Sequence, residues 1–170
     1  PLPLELITLL PLDLGRHLWC HFDGVGLVFE LDVRRLVHSI EQRRDAKERV
    51  VVGSHHSERT GAEWKQLGYT MLADPRRGKE HFVDEALQAQ LMRTAAKSFT
   101  PGRVLVLVTG DGNANEGRMT FPECVEAALK NSWQVELYSW RQALSQIYVD
   151  MAAQYGNDFS IHHIDELYTV

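Results

Sequence analysis

The sequence predicts an α/β fold, with a central, mainly parallel sheet of five or six strands and helices on both faces. Two observations predict it. Short apolar runs that end in turn residues alternate about five times with segments whose apolar residues recur at helical spacing. The most apolar run, Val104 to Val108, has no polar alternation, which is typical of a strand buried on both faces of a parallel sheet.

The strands are predicted from runs rich in valine, leucine and aromatic residues, most of which end near glycine or aspartate. In chain order they comprise residues 17–22, 49–54, 68–74, 103–109, 134–140 and 159–164. Parallel strands need long crossover connections, and the segments between the later runs are long enough to supply them as helices.

The helices are predicted from amphipathic segments that lie between these strands. They comprise residues 33–44, 60–67, 79–99, 121–131 and 143–156. The longest helical pattern carries one broad apolar face, made of Phe82, Val83, Ala86, Leu87, Leu91, Ala95 and Phe99. Pro122 suits the first turn of its helix, and Gly156 suits the end of the last one.

Composition limits the classes of protein to consider. The chain has 170 residues, 44% of them hydrophobic and 24% charged, which is typical of a globular domain; we expect one domain at residues 16–170 after a linker or N-terminal extension at 1–15. No apolar run approaches the ~20 residues that span a bilayer. The two cysteines are far apart and predict buried thiols in an intracellular, reducing compartment. The net charge of −5 means that any phosphate binding needs a local basic patch.

Carboxylates follow the predicted strands at the edge where ligands bind in such folds. Asp23 follows the first strand and Asp111 the fourth, and Glu80 and Asp84 lie four residues apart near the start of the longest helix. Crowded carboxylates repel one another unless a cation neutralises them. Oxygen ligands without clustered cysteine or histidine favour Mg²⁺ or Mn²⁺, so these residues predict a hydrolase that acts on a phosphate ester.

A simpler interpretation exists for each of these residues. A single aspartate after a strand is commonly a turn former or a helix cap, and Asp74 fits that role better than that of a ligand. Asp84 is harder to explain as a turn former or a helix cap, because it lies at the edge of an apolar stripe, where an unpaired carboxylate is costly. The adjacent pairs His55–His56 and His162–His163 would point to opposite faces of a strand, and we interpret them as surface residues.

One resemblance is to thiamine diphosphate enzymes, whose motif opens with Gly-Asp-Gly. The residues that carry it are 110–112, Asn115 to Gly117, and 127–133. That family requires an asparagine as a metal ligand about thirty residues on and a second large domain. Residues 137–141 read LYSWR and contain no asparagine, and the chain is too short for the second domain.

A second resemblance covers nearly the whole domain. The segments HFDG (21–24), KEHFVDEAL (79–87), LVTGDGN (107–113) and 121–140 resemble, in order, elements of the NYN branch of the PIN-like nuclease superfamily. The resemblance implies a PIN-like, Rossmann-like three-layer sandwich with a metal-dependent ribonuclease site at the C-terminal edge of its sheet. It implies that Asp23, Asp84 and Asp111 are catalytic residues and ligands of Mg²⁺ or Mn²⁺.

Two departures from the family pattern leave two functions open. Asn113 stands where the family usually has another aspartate, and Gly24 to Gly26 replace a polar group that often follows the first aspartate. Asparagine is a neutral and weaker metal ligand. The first hypothesis is a metal-dependent endoribonuclease that hydrolyses RNA phosphodiesters. The alternative is a catalytically weak or inactive domain that binds RNA or protein.

RNA is the expected partner, and single-stranded RNA is favoured, with a protein partner or a homodimer left open. Arg76, Arg77 and Lys79 lie on the loop that leads to Asp84, and they form the candidate basic patch. Asn113 and Asn115 can offer polar groups to the metal or to a phosphate. An ordinary solvated loop explains the basic residues equally well.

Overall fold

The computed structural model describes residues 19–22, 25–28, 32–52, 58–72, 83–96, 102–109 and 119–168. Within these ranges the chain is a mixed α/β protein, so the α/β class that the sequence predicts is confirmed. No helix in these ranges has the length and apolarity needed to cross a membrane.

The strands form three small sheets. They are β1 (Trp19–Phe22), β2 (Val25–Val28), β3 (Val50–Val52), β4 (Thr70–Leu72), β5 (Arg103–Val108), β6 (Trp133–Ser139) and β7 (Phe159–His163). β1 and β2 pair as an antiparallel ribbon, β3 and β4 pair in parallel, and β5, β6 and β7 form a parallel sheet in that order. Among the described residues β3 and β5 share no ladder, so the single sheet of five or six strands stays a prediction.

The helices follow the strands, as the sequence predicts. They are α1 (Val33–Glu41), α2 (Glu58–Gln66), α3 (Val83–Ala96), α4 (Phe121–Lys130), α5 (Gln146–Tyr155) and α6 (Ile164–Tyr168). α1 begins where the Asp32 carboxylate accepts a hydrogen bond of 2.9 Å from the Arg35 amide. α4 begins with a capping box, in which Thr120 and Glu123 bond each other's backbone amides.

Two hydrophobic cores lie on opposite sides of the strands. The α3–α5 core is buried by α3, α4 and α5, and the α1–α2–α6 core is buried by α1, α2 and α6. β3 contributes Val50 and Val52 to the first core and Val51 to the second. β5 divides in the same way. Leu105 and Leu107 lie in the α3–α5 core, and Val104, Val106 and Val108 lie in the α1–α2–α6 core. The two parallel sheets therefore separate the same two layers of helices.

Two parts of the chain differ from the sequence predictions. β2 has no counterpart among the predicted strands, because Gly26 interrupts an apolar run of only four residues. α6 was missed because only its first residue, Ile164, and Leu167 join a core, so the segment carries little apolar periodicity. Each of the six predicted strands has a counterpart among the described strands, with ends that differ by up to two residues.

A buried polar cluster holds the starts of β3 and β4 against the end of α1. The Arg49 guanidinium donates to both carboxylate oxygens of Glu41, at 2.8 and 2.9 Å, and the Tyr69 hydroxyl donates to the same carboxylate at 3.0 Å. These hydrogen bonds raise the pKa of Arg49. Glu41 is only 8% exposed, and such a carboxylate is stable there because three donors compensate for its lost hydration.

A second bidentate pair joins the residues after α1 to the middle of β6. The Arg44 guanidinium donates to both carboxylate oxygens of Glu136, each at 2.7 Å, and to the Ile40 carbonyl at 3.0 Å. The hydrogen bonds to Glu136 raise the pKa of Arg44. Together the two pairs fasten α1 to both parallel sheets, which share no ladder with one another within the described residues.

Cys124 should react with an alkylating reagent only when the protein unfolds. Its side chain is fully buried in the α3–α5 core, and burial raises the pKa of the thiol to about 11. Relative to a thiol with a pKa of ~9, the reactive thiolate is about 100-fold rarer at pH 8. In a Cys20→Ser background, mass spectrometry should find slow iodoacetamide labelling of the native protein and fast labelling in denaturant. Equal rates would mean that Cys124 is accessible in the folded chain.

Candidate functional site

The C-terminal ends of β5, β6 and β7 lie side by side. The register pairs Val108 with Tyr138, and Ser139 with His163. The Thr109 amide donates to the Tyr138 carbonyl at 3.0 Å, so the ladder continues one residue beyond β5. The edge that the sequence predicts as the ligand site is therefore formed, on these three strands, by three neighbouring strand ends.

A row of polar side chains lies along this edge. The row consists of Thr109, Ser139 and His163. Two residues before each of them, the same strand has a residue that packs in the α3–α5 core; these residues are Leu107, Leu137 and Ile161. Because side chains two apart share a face, the row faces the same side as that core. Thr109 and Ser139 are almost fully buried, and the Ser139 hydroxyl donates to the Trp140 carbonyl at 3.1 Å.

α3 runs antiparallel to β3, and this fixes where the helix begins. The Thr94 hydroxyl donates to the Glu48 carboxylate at 3.2 Å, and the Gln90 amide donates to it as well. Glu48 comes just before β3, so the second half of α3 lies beside the start of that strand. The first turn of α3, which contains Asp84, therefore lies toward the C-terminal end of β3.

Most of the predicted site residues lie outside the described residues. These are Asp23, Arg76, Arg77, Lys79, Glu80, Asp111, Asn113 and Asn115. Asp84 is the second residue of α3, but its side chain is also outside the described part. Their convergence on one metal ion stays a prediction. Within the described ranges, no three histidine, cysteine, aspartate or glutamate side chains are grouped to hold a metal ion.

The two histidines of β7 are half-buried. Their predicted position on opposite faces of the strand is confirmed. The His162 ring stacks on Tyr138, with centroids 4.6 Å apart, and lies 3.0 Å from the Ser160 hydroxyl. His163 lies on the other face, in the polar row, and its Nδ1 is buried.

His163 could have been found from the sequence. The run Phe159 to His163 was predicted as a strand, and alternation places its first, third and fifth residues on one face. Phe159 and Ile161 are apolar, so the fifth residue continues the buried face rather than the solvated one.

Comparison with known proteins leaves the chain without an assigned family. No protein-family model matches it, and a search of the curated proteins finds no match. The resemblance to NYN domains therefore depends on the motifs of this sequence, and the function is inferred from those motifs together with the position of the strand ends.

Proposed function

We propose that the chain is a PIN-like domain that hydrolyses RNA with the help of Mg²⁺ or Mn²⁺. The observation that supports it best is the arrangement of helices about the two parallel sheets. α2 packs in the α1–α2–α6 core, whereas α4 and α5 pack in the α3–α5 core. Consecutive parallel strands are joined by right-handed crossovers in nearly all proteins.

Handedness gives the proposed order of strands. Right-handed crossovers on opposite faces of a sheet move in opposite directions along it. The connection through α2 therefore puts β4 on one side of β3, and the connections through α4 and α5 put β6 and β7 on the far side of β5. The proposed order is β4, β3, a gap, β5, β6 and β7, with the gap at the point where the order reverses.

In the proposed order one strand would fill the gap, and handedness predicts which one. α1 packs on the same face as α2, so the strand that precedes α1 lies on the β5 side of β3. We propose that residues 17–22 form this strand in the active domain, in place of the ribbon of β1 and β2. The sheet would then have six parallel strands between two helical layers, a doubly wound three-layer sandwich.

This order brings the predicted acidic residues to one edge. Asp23 follows residues 17–22, and Asp111 follows β5, so the two would end neighbouring strands about 4.8 Å apart. Asp84 begins the helix whose first turn lies toward the same edge. Asp23, Asp84 and Asp111, with Asn113, would hold the metal ion, and Glu80 would lie at the rim. Once bound, the ion would act as a Lewis acid and would activate a water molecule, and the protein would position both at the phosphodiester.

Asn113 favours a second candidate function. Because an asparagine stands where the family has an aspartate, the proposed ligand set has one negative charge fewer. Its attraction for a divalent ion is therefore weaker. A domain with too weak a metal site would still bind RNA through Arg76, Arg77 and Lys79. The two functions make different predictions for one assay.

A cleavage assay on fluorescent single-stranded RNA tests the proposal. We expect the full chain to cut the RNA with Mn²⁺ or Mg²⁺ and to lose the activity in EDTA, because the carboxylates alone cannot neutralise the phosphodiester. RNA affinity is measured in parallel by fluorescence anisotropy at several salt concentrations. Binding that weakens with salt but gives no cleavage with either metal would favour the binding module. Neither binding nor cleavage would overturn both functions.

A further inference from the structure

β7 is the outer strand of its sheet. Within the described residues it pairs with β6 alone, over five consecutive positions and without a bulge. Proteins commonly protect such an edge with a very short strand, a proline, a bulge or a charged side chain. β4, an outer strand of the other parallel sheet, is only three residues long, whereas β7 reads FSIHH and contains no lysine, proline or acidic residue. Alternate backbone N–H and C=O groups of β7 point away from β6, as pairing with a further strand requires.

An exposed apolar side chain lies beside this edge. α5 joins β6 to β7, and its buried face packs in the α3–α5 core through Tyr148 and Met151. Because such crossovers are right-handed, the helix turns Val149 toward the open edge and Ile147 toward α4, on the other flank. Val149 is 42% exposed and Ile147 41%. The unpaired strand edge and an exposed valine therefore lie next to each other.

The sequence of β7 is complementary to a second copy of itself. In a two-fold antiparallel pair, residues that oppose each other must lie on the same face of the sheet. All five residues pair under this condition only when the axis passes through Ile161, which then opposes its own copy. Phe159 opposes His163 of the second copy. Ser160 opposes His162, so no two identical charges meet across the axis.

The same axis brings two copies of α5 to packing distance. α5 contacts β7, and a crossover helix covers the space between its two strands, so its axis lies about half a strand spacing inside β7. The two-fold axis lies half a spacing beyond β7. At ~4.8 Å between strands, the two helix axes are therefore about 10 Å apart. Helices pack at about 8–10 Å, and Val149 lies on the flank that faces the other copy.

We propose that a second copy of this chain binds along β7, with the two β7 strands paired antiparallel and the two α5 helices packed beside them. The sheet of β5, β6 and β7 becomes one sheet of six strands, three from each copy. The two copies run in opposite directions, so their C-terminal strand ends lie on opposite sides of the joined sheet. The interface uses no residue of the proposed acidic site, and it forms whether or not the chain cuts RNA.

Sedimentation of the full chain at several concentrations, up to about 100 μM, tests the interface. The wild type should form a dimer that dissociates on dilution. Val149→Lys puts two identical charges on facing flanks and should raise the dissociation constant of the dimer about tenfold or more. Ile147→Lys is the matched control, because it changes an equally exposed apolar residue on the other flank of the same helix. It should leave the dissociation constant unchanged.

Cysteine cross-linking in a Cys20→Ser background tests the register. Ile161→Cys should form a disulfide between copies under mild oxidation, because opposed residues have Cα atoms about 4.5–5.5 Å apart. Ser160→Cys should not, because in this register it lies two positions from its own copy, about 8 Å away, which is too far for a disulfide.

Three results would overturn the interface. The first is a wild type that stays monomeric at the highest concentration, and the second is an equal rise of the dissociation constant in the two lysine variants. The third is a dimer that cross-links through Ser160→Cys but not through Ile161→Cys. The lysine variants change exposed residues, so circular dichroism should show that both keep the wild-type fold.

Discussion

Asp111→Asn should lower the rate of Mn²⁺-dependent RNA cleavage by about 100-fold or more, while RNA affinity stays the same or rises. Asparagine keeps the size and shape of the side chain but removes one negative charge from the proposed metal ligands. The metal then binds more weakly, and the repulsion between the carboxylate and the RNA phosphate is lost. Single-turnover cleavage and anisotropy on the same protein samples separate the two effects.

Asn113→Asp is the complementary change at the same turn. It adds the charge that Asp111→Asn removes, so it should tighten Mn²⁺ binding in calorimetry and raise the cleavage rate. An unchanged metal affinity would mean that Asn113 lies outside the coordination sphere. If Asp111→Asn cuts RNA as fast as the wild type, the proposed acidic site is wrong, whatever effect Asn113→Asp has on metal affinity.

The parts of the fold that could be predicted are those that local sequence determines. Residues 103–109 were predicted as a strand and β5 is Arg103–Val108, because five consecutive apolar residues, Val104 to Val108, are buried on both faces. The helix predicted at 121–131 is α4, Phe121–Lys130, where Pro122 and the capping box both fix the beginning. In such segments the local preference and the tertiary packing agree.

Tertiary contacts set the features that the sequence did not reveal. The local sequence does not distinguish Arg44 and Arg49 from solvated charges, but each is held by a carboxylate. Glu136 lies 92 residues from Arg44 along the chain. Nothing within one segment indicates such a pair. The proposed site is equally hard to predict from one segment, because Asp23, Asp84 and Asp111 lie on three separate connections. Their motifs predict a function, but only the order of the strands can predict that they meet.

Glu41→Ala should reduce the free energy of unfolding by about 2–4 kcal/mol, because breaking a buried ion pair typically costs ~3–5 kcal/mol and these two side chains keep some contact with solvent. The side chains of Arg49 and Glu41 are 25% and 11% exposed. The variant leaves the guanidinium of Arg49 and the hydroxyl of Tyr69 without their acceptor. Urea denaturation measures the change.

Two further variants show whether the pair itself is responsible. Glu63→Ala breaks the exposed pair with Arg34 and should cost no more than about 0.5 kcal/mol. Arg49→Met, added to Glu41→Ala, should recover part of the loss, since the uncompensated charge is then gone. If Glu41→Ala costs as little as Glu63→Ala, the cluster does not fasten the sheet.

The position of the cluster separates stability from function. Glu41 ends α1, while Arg49 and Tyr69 directly precede β3 and β4, so the cluster lies at the N-terminal ends of these strands. The proposed acidic site lies at the opposite, C-terminal edge. Glu41→Ala protein that remains folded should therefore cut RNA at the rate of the wild type, whereas Asp111→Asn should be as stable as the wild type and inactive. A large loss of activity in folded Glu41→Ala would show that a displacement of α1 and β3 alters the geometry of the site. The proposed strand between β3 and β5 is the element that would connect the two.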